Sequence, residues 1–433
     1  MTHSVLIVGS GGREYAMAQR FSADATVSRV FIVPGNPPMN HLKKCTTLSG
    51  DVVEMALRYS IDLVVVGPEK PLVEGLADRL RVERISVVGP SKNAAMLEYS
   101  KIFSKQFMME MGIPTARAEW FENVEAALVG LDRWSETDGV VVKSDSLAGG
   151  KGVVVCDTIT EASTTIQAFM TDSTIRVQTD RILLEEKLYG VEVSAFVLCD
   201  GVEWRWLGIA CDHKPFGDGD VGPNTGGMGA FIPNDFLSDF QWKEIEDIFN
   251  RVVRGMSERG TPYQGVLFAG LMVNTNGVRP NVETQVSVLE FNIRLGDPEA
   301  QVLLPTLKGS LFDVFLAAAQ GALDTCTTSI EAGGYAVNVV AVAEGYPSID
   351  GTVVSKGDVI TTIADTETRH LVFGGVAEQD GVLVTNGGRV LGVTGFGDTL
   401  EEARAFAYQG MKRIHFDGMQ YRKDIADIKR TLC

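Results

Sequence analysis

Several features are scarce in this chain, and each scarcity excludes a class of protein. No apolar run in the 433 residues reaches the roughly eighteen that cross a bilayer, so we expect no membrane-spanning segment. The six cysteines are scattered without paired spacing, which disfavours a disulfide framework and a zinc site. The first residues lack the basic and apolar regions of a secretory signal, so we expect a cytoplasmic protein with reduced thiols.

Basic residues are also in the minority. The chain has 39 lysines and arginines against 56 aspartates and glutamates, and its formal net charge is −17. Such a surface repels nucleic acid and anionic lipid, because both bind through clustered Lys and Arg. We therefore expect small-molecule partners, with no nucleic acid and no membrane. The sequence leaves open whether the protein is a monomer or a homodimer.

Hydrophobic patterning divides the chain into regions of different character. A prior of about 150 residues per domain suggests roughly three domains. Short β-branched strands alternate with helices over residues 1–98, which predicts an α/β fold with a parallel, Rossmann-like sheet. These strands are expected near residues 5–8, 30–33 and 63–66. Residues 331–433 are rich in Val, Gly and Thr, so we expect a small, mainly β domain with one helix.

A glycine turn follows the first predicted strand. Residues 9–12 read Gly-Ser-Gly-Gly and precede a helical pattern, so a phosphate can rest on the helix N-terminus. The spacing departs from the dinucleotide fingerprint Gly-x-Gly-x-x-Gly, and Val33-Pro34-Gly35 stands where an acidic residue would close the second strand. Both departures disfavour NAD. A tight turn without a ligand is the alternative.

Two lysines flank a loop of small residues further along the chain. Lys143 ends a predicted strand over residues 139–143, and Lys151 precedes another over residues 153–156. Exposed amides and two ammonium groups form a phosphate clamp, whereas a Walker loop would need Gly-Lys-Ser/Thr at the start of a helix. The alternative is a plain hairpin, in which an unpaired Lys143 would be poorly placed.

Residues 290–299 combine oxygen ligands with a guanidinium. Alternation along a predicted strand puts Glu290, Asn292 and Arg294 on one face and apolar side chains on the other. Carboxylate and amide oxygens suit Mg²⁺, which keeps some waters and is completed by substrate phosphates. Arg294 can brace a transferring phosphoryl group with its planar donors. The alternative is a half-exposed edge strand with a salt bridge.

The most glycine-rich segment, residues 222–230, reads Gly-Pro-Asn-Thr-Gly-Gly-Met-Gly-Ala. Four glycines within eight positions disfavour a helix or a strand, so we expect a loop that lets a ligand approach the backbone. Asp212-His213-Lys214 precedes it and adds a cation and a carboxylate. We predict that this loop closes over a charged small molecule; an ordinary surface turn is the alternative. Together with the lysines and the oxygen-rich face, and without a nucleophilic Ser or Cys motif, it indicates ATP-dependent phosphoryl transfer.

In the order of these segments the sequence resembles the phosphoribosylamine–glycine ligase family of the ATP-grasp carboxylate–amine ligases. The resemblance extends over essentially the whole chain, through the segments at residues 9–14, 34–36, 67–69, 89–91, 100–101, 143–153, 212–214, 222–230, 265–272, 290–299 and 385–391. It implies an ATP-grasp domain over residues 99–330, with a lid subdomain at about residues 115–187. The Rossmann-like domain would precede it and the mainly β domain, residues 331–433, would follow.

The resemblance also implies a reaction of purine biosynthesis. ATP phosphorylates the carboxylate of glycine, and the amine of 5-phosphoribosylamine attacks the resulting glycyl phosphate. The products are glycinamide ribonucleotide, ADP and phosphate. The implied cofactors are ATP and Mg²⁺ (or Mn²⁺).

Roles for particular residues follow from the same resemblance. Glu290 and Asn292 would hold the metal ion, and catalysis would depend on Arg294, Lys214 and Asp212. ATP would contact Lys105, Lys143, Lys151, Glu185, Glu186, Leu188 and Glu192. The substrates would contact Gly11, Gly35, Asn36, Asp212, Lys214, Pro223, Asn224, Thr225, Gly226, Gly227, Met228 and Arg294.

Two alternative functions stay open at this point. An ATP-grasp ligase of different amine or acid specificity would keep the same nucleotide and metal residues. A nucleotide-binding protein that has lost catalysis would have no reason to keep both the lysine clamp and the metal face. The sequence also departs from the family pattern at Tyr15, where His is usual, and at Pro215-Phe216, where a basic residue is common.

Overall fold

The computed structural model describes residues 2–134, 139–146, 152–171, 179–233, 236–274, 285–348, 352–362 and 364–427. Lys151 and most of the loop before it lie outside these residues, so the second half of the predicted phosphate clamp has no structural description.

The N-terminal region is built on a five-stranded parallel sheet with the strand order β3-β2-β1-β4-β5. Buried Val, Leu and Ile fill its central strands, as is typical of a sheet covered on both faces. This topology confirms the predicted Rossmann-like fold. The elements are β1 (His3–Gly9), α1 (Gly12–Ala23), β2 (Val27–Pro34), a 3₁₀ helix (Pro37–His41), β3 (Cys45–Thr47), α2 (Val52–Arg58), β4 (Leu63–Val66), α3 (Glu69–Val73), α4 (Leu76–Val82) and β5 (Val87–Val88).

A small unit built from strands and helices between residues 118 and 186, which we call the lid, follows two connecting helices and has a hydrophobic core of its own. Four antiparallel strands in the order β6-β9-β7-β8 carry two helices, and side chains such as Val142, Ile166 and Leu184 are fully buried between them. The elements are α5 (Met96–Tyr99), α6 (Lys101–Glu110), β6 (Ala118–Phe121), α7 (Val124–Leu131), β7 (Val140–Ser144), β8 (Val153–Cys156), α8 (Ile159–Thr171) and β9 (Ile182–Glu186).

The lid is followed by the long strands of a large antiparallel sheet. Most hydrophobic side chains on β10 and β15 are almost completely buried, and α9 begins with a capping box between Ser238 and Gln241. The elements are β10 (Val191–Asp200), β11 (Trp204–Asp212), β12 (Pro215–Gly217), β13 (Val221–Asn224), β14 (Gly229–Phe231), α9 (Asp239–Glu258), β15 (Gln264–Val273), β16 (Val286–Asn292), α10 (Ala300–Thr306), β17 (Leu307–Lys308) and α11 (Leu311–Ala319).

The antiparallel pairing of this large sheet continues into the C-terminal region. Strand β14 pairs with β11 on one side and with β19 on the other, so strands from both sides of residue 330 share one eight-stranded sheet. Its order is β16-β15-β10-β11-β14-β19-β23-β20. The remaining elements are β18 (Glu331–Ala332), β19 (Tyr335–Val342), β20 (Arg369–Phe373), β21 (Val376–Gln379), β22 (Val382–Thr385), β23 (Arg389–Gly397) and α12 (Leu400–Met411).

The glycine-rich segment at residues 222–230 differs from the loop that the sequence predicts, because both of its ends are strands. Its first residues pair in the β12–β13 hairpin, and its last residues form β14 inside the large sheet. Backbone hydrogen bonds, rather than side-chain packing, hold Gly222 and Gly229 in strands, while Gly226 and Gly227 lie between the two strands. A Cβ on Gly229 would lie 2.6 Å from the carbonyl oxygen of Asn338, so glycine permits the close approach of β19.

Candidate active site

Side chains from the lid, the large sheet and the N-terminal region enclose a cleft of about 530 Å³. The C-terminal region reaches the same cleft through Arg389. Most of the predicted site residues line it: Lys105, Lys143, Glu185, Glu186, Leu188, Glu192, Asp212, Lys214, Asn224, Thr225, Gly226, Glu290, Asn292 and Arg294.

Six of the predicted substrate residues lie outside the lining of this cleft, namely Gly11, Gly35, Asn36, Pro223, Gly227 and Met228. The side chain of Asn36 donates to the carbonyl oxygens of Ser10 at 2.9 Å and Phe373 at 3.0 Å, so it ties the glycine turn to the C-terminal region. Met228 is only 1% exposed and belongs to the core. Contacts between these six residues and a substrate stay predictions.

At one end of the cleft, the carboxylate of Glu185 lies between two buried ammonium groups. Lys143 Nζ is 2.8 Å from Oε2, and Lys105 Nζ is 3.1 Å from Oε1. Lys143 and Glu185 are brought together because β7 and β9 are neighbouring strands, while Lys105 comes from α6. Burial lowers the pKa of Lys105, Glu185 opposes that shift and the nearby Lys143 adds to it, and the net result is a pKa of about 8. Two cations facing one carboxylate suit this end for an anionic phosphate.

The predicted ATP contacts Glu186 and Leu188 lie at the connection from β9 to β10, where the lid joins the large sheet. The backbone N–H of Glu186 donates to the carbonyl oxygen of Arg117 at 3.0 Å, and the N–H of Arg117 returns a 3.0 Å bond to Glu186 Oε1. Leu188 lines the cleft together with apolar side chains such as Val141 and Met272. The wall beside the lysines is therefore apolar, which suits the face of a planar base.

Glu290 and Asn292 lie side by side at the end of β16. Asn292 Nδ2 donates to Glu290 Oε1 at 3.4 Å, and Asn292 Oδ1 accepts a 3.1 Å bond from Arg294 Nη2. Burial raises the pKa of Glu290, but the positive charges of Lys214 and Lys143 outweigh burial and lower it below its usual range. The carboxylate is therefore ionised at neutral pH although it is enclosed.

The chemistry of this pair decides whether a metal ion fits. Within the described ranges, no three His, Cys, Asp or Glu side chains cluster closely enough to form a metal site of their own. An ionised carboxylate beside an amide oxygen does fit Mg²⁺, because Mg²⁺ uses few protein ligands and completes its shell with water and phosphate oxygens. Glu290 and Asn292 therefore suit a metal ion that arrives with a nucleotide.

Lys214 holds a fixed positive charge beside the glycine-rich segment. Its Nζ is 2.5 Å from Glu192 Oε2 and 3.8 Å from Asp212 Oδ1. Burial lowers the pKa of Lys214, but the two carboxylates outweigh burial and raise it well above its usual value. Burial raises the pKa of Asp212, and Lys214 opposes that rise. Thr225 is tied to this group, since its N–H and its Oγ1 each donate to the carbonyl oxygen of Lys214 at 2.8 Å.

Arg294 is held by two carboxylates that sequence reasoning did not assign to the site. Its Nη2 is 2.8 Å from Glu98 Oε1, and its Nε is 3.2 Å from Glu69 Oε2. Burial lowers the pKa of Arg294, yet the two carboxylates raise it above its usual value. Glu69 could have been found from the sequence, because it ends the Gly-Pro-Glu segment at residues 67–69. No local motif marks Glu98 as a site residue.

A second arginine, Arg389, also lines the cleft without having been predicted there. Its Nη1 donates to the carbonyl oxygens of Gly226 and Asp297, each at 2.5 Å. Burial raises the pKa of Asp297, but Arg389 and Arg13 outweigh burial and lower it. Arg389 thus joins the C-terminal region to the glycine-rich segment. Its place in the segment at residues 385–391 was the signal that could have located it.

A four-stranded antiparallel lid and a larger antiparallel sheet that together line a cleft rich in lysines and carboxylates define an ATP-grasp enzyme. The biotin carboxylase domain of the 2-oxoglutarate carboxylase from Hydrogenobacter thermophilus, solved with MgADP and bicarbonate, has a TM-score of 0.69. The likeness covers 97% of this chain and 92% of that one at 15% identity, so it supports the fold alone.

The chain belongs to the phosphoribosylglycinamide synthetase family. Residues 3–98, 99–300 and 336–428 match the N domain, the ATP-grasp (A) domain and the C domain of that family. The phosphoribosylamine–glycine ligase of Caldanaerobacter subterraneus is 38% identical, over 98% of this chain and 99% of its own. That of Ralstonia nicotianae is 40% identical, over 97% and 98%. The crystal structure of the phosphoribosylamine–glycine ligase from Thermotoga maritima has a TM-score of 0.83 at 35% identity and covers 98% of this chain and 100% of that chain.

Family membership makes this chain an ATP-dependent carbon–nitrogen ligase of purine biosynthesis, as the sequence predicted. ATP-grasp enzymes use ATP with a divalent metal ion, which agrees with the donor set in the cleft. Over the described ranges, no helix has the length and apolar character needed to span a bilayer.

Proposed function

We propose that the cleft binds ATP, glycine and 5-phosphoribosylamine together and joins the last two through glycyl phosphate. One observation carries the proposal: the lysine pair, the Glu290–Asn292 pair and the glycine-rich segment all line the same cavity of about 530 Å³. Phosphoryl transfer depends on positioning and on neutralising charge, and this lining offers both.

The nucleotide is proposed to lie between the lid and the large sheet. Lys105 and Lys143 would meet its phosphates, and the shared Glu185 would keep both ammonium groups in place before ATP arrives. Glu186 and Leu188 would frame the adenine. Glu192, which lines the cleft, would accept hydrogen bonds from the ribose hydroxyls. Lys151 would be the second lysine of the phosphate clamp.

The transfer step is assigned to the end of β16. Glu290 and Asn292 would hold Mg²⁺ (or Mn²⁺), which when bound would neutralise phosphate charge. Arg294 would stabilise the phosphoryl group as an oxygen of the glycine carboxylate attacks the γ-phosphorus and ADP departs. Its two carboxylate partners, Glu98 and Glu69, fix the guanidinium in one orientation before the substrates bind.

The amine side of the reaction is assigned to the glycine-rich segment and its neighbours. Lys214 and Asp212 would bind glycine and 5-phosphoribosylamine, with Asn224, Thr225 and Gly226 supplying the adjoining wall. The amine nitrogen would attack the carbonyl carbon of glycyl phosphate, and phosphate would leave. Enclosure by the lid would keep water from the acyl phosphate. Further contacts are proposed for Gly11, Gly35, Asn36, Pro223, Gly227 and Met228.

We also propose a cytoplasmic location and a monomeric or homodimeric state. Five cysteines lie in the described ranges and all are free thiols, which suits a reducing compartment. Small molecules are the proposed partners, with neither nucleic acid nor membrane, since the net charge is −17. Light scattering on the purified protein would decide between monomer and dimer.

The deciding experiment is an assay in which one component is omitted at a time. Purified protein given ATP, Mg²⁺, glycine and freshly made 5-phosphoribosylamine should release phosphate only when all four are present. Phosphate release that persists without glycine would refute the proposal. Replacing 5-phosphoribosylamine with other amines, or glycine with other amino acids, tests the alternative specificity in the same assay.

A further inference from the structure

Arg422 is a buried charge that the proposed reaction does not use. It is 2% exposed and lies near the end of the described chain, away from the cleft lining. Its guanidinium forms a two-pronged pair with Asp424, through Nε to Oδ1 and Nη2 to Oδ2 at 2.8 Å each. A buried cation is tolerated only with such partners, so its place in the fold is closely specified.

The remaining donor of Arg422 points to a different part of the chain. Nη1 is 2.7 Å from Asp220 Oδ1 and 3.0 Å from the carbonyl oxygen of Pro215. Both acceptors belong to residues 215–224, the β12–β13 hairpin with its turn, which we call the substrate hairpin. Its last residue, Asn224, lines the cleft.

Two further hydrogen bonds join the same two segments. The N–H of Gly219 donates to Asp424 Oδ2 at 2.7 Å, and the N–H of Lys423 donates to Asp218 Oδ1 at 2.8 Å. The turn of the substrate hairpin is therefore bonded to residues 422–426 through both a backbone N–H and a side-chain carboxylate of its own. These bonds span about half the chain, so no local preference of the hairpin could replace them.

A third point of attachment lies next to the proposed substrate residues. The N–H of Ala426 donates to His213 Nε2 at 3.3 Å, and His213 Nδ1 is 3.4 Å from Asp220 Oδ1. His213 stands between Asp212 and Lys214, which both line the cleft. The segment at residues 422–426 thus contacts both the hairpin and the strand end that precedes it.

The segment is itself anchored on α12. Arg404 donates to the carbonyl oxygens of Ile425 and Lys423 at 2.9 Å each, and the hydroxyl of Tyr408 donates to the carbonyl oxygen of Arg422 at 2.9 Å. The segment that holds the hairpin is therefore itself bonded to α12, and α12 packs on β23 and β19.

We propose that residues 422–426 form a C-terminal latch that positions the substrate hairpin and Lys214 for glycine and 5-phosphoribosylamine. Arg422 is then a positioning residue: it touches no substrate, and it acts through Asp220 and Pro215. This inference deepens the proposed function and rests on it. Among the described bonds, none joins the latch to Lys105, Lys143 or Glu185, so ATP binding should depend on the latch less than binding of the other two substrates does.

The test is the kinetics of Arg422→Met, which keeps an unbranched apolar side chain and removes the guanidinium group. Loss of the bonds to Asp220 and Pro215 should raise KM for glycine or 5-phosphoribosylamine by about tenfold, because a displaced hairpin misplaces the wall that binds them. KM for ATP should rise by a smaller factor, because the lysine pair that would meet its phosphates has no described bond to the latch. Asp218→Ala, an exposed change that removes only the bond from Lys423, should raise the same KM values by less.

The matched control is Arg205→Met. Arg205 also tethers one segment of chain to another, by donating to the carbonyl oxygens of Thr328 at 2.7 Å and Leu323 at 2.6 Å, but it lies away from the cleft lining. It should lose stability without any change in KM. The latch would be overturned if Arg422→Met and Asp218→Ala both kept the wild-type KM values for glycine and 5-phosphoribosylamine. It would also be overturned if KM for ATP rose as much as those two values. Failure of the wild-type protein to require glycine would instead overturn the proposed function.

Discussion

The pH dependence of ATP binding offers a sharp test of the lysine pair. Lys105 is 1% exposed, and its Nζ contacts Glu185 at 3.1 Å and Thr115 Oγ1 at 2.6 Å. Burial lowers its pKa from the usual 10.5 to about 8, which corresponds to about 3 kcal/mol against the charged form. The ammonium group is therefore charged at neutral pH but loses its proton at mildly alkaline pH.

The sign of the effect on stability follows from proton binding. Between the folded pKa of about 8 and the unfolded value of 10.5, the unfolded chain binds more protons at Lys105, so this group makes stability rise with pH. The affinity for ATP should move in the opposite direction, because only the charged ammonium attracts phosphate. We expect the part due to Lys105 to fall by up to about tenfold per pH unit above the folded pKa.

Lys105→Met removes the charge while keeping a similar side-chain length. Calorimetric titration with ATP and Mg²⁺ should show about 10- to 100-fold weaker binding at neutral pH and a flatter pH profile, since one charge-assisted contact is lost. In urea titrations, the difference in unfolding free energy between wild type and variant should shift by about 2 to 3 kcal/mol in favour of the wild type as pH rises from about 7 to about 10.

The control is Arg254→Met on the exposed face of α9, where Arg254 faces Glu258 at 3.8 Å. It should leave both pH profiles as in the wild type. Identical pH profiles of ATP affinity in the wild type and Lys105→Met would refute the reasoning, because the titrating cation would then not be the one that meets phosphate.

Three other substitutions test separate parts of the cleft. Glu290→Gln should abolish turnover with little change in the thermal midpoint, because the amide lacks the anionic oxygen; activity near that of the wild type would remove Glu290 from the metal site. Glu98→Ala should cost about 3 kcal/mol of unfolding free energy in urea titrations, since it takes a 2.8 Å partner from buried Arg294; an unchanged midpoint would contradict that contact. Gly227→Ala should lower the unfolding free energy by about 1 to 3 kcal/mol and raise KM for glycine, because φ is 112° and a Cβ would lie 2.4 Å from Pro298. A wild-type KM for glycine would contradict this prediction.

Much of the fold follows from local pattern. Apolar runs ending in glycine turns identified β1, β2 and β4, and their parallel pairing follows from the helices between them. The alternation at residues 290–295 also holds in part: Phe291, Ile293 and Leu295 are buried, while Glu290 and Arg294 reach the cleft. The strand itself ends at Asn292, so geometry beyond that point comes from tertiary contacts.

The glycine-rich segment shows where local reasoning stops. Its composition correctly indicates backbone that something must approach closely. The strand that approaches it, β19, lies more than a hundred residues further along the chain, so the pairing is not a local property. Composition reports conformational freedom, whereas pairing depends on which strand edges the fold brings alongside.

The sequence alone determined the residue types that phosphoryl transfer needs and the order in which they occur. Lys143, Glu290, Asn292 and Arg294 could be proposed from short motifs, because spacing along a strand is a local property. Only the tertiary structure decided their partners. Glu185 sits between two lysines, Glu98 is 196 residues from the arginine it holds, and the latch joins segments about 205 residues apart. Such pairs are chosen by the packing of whole domains, which no window of sequence encodes.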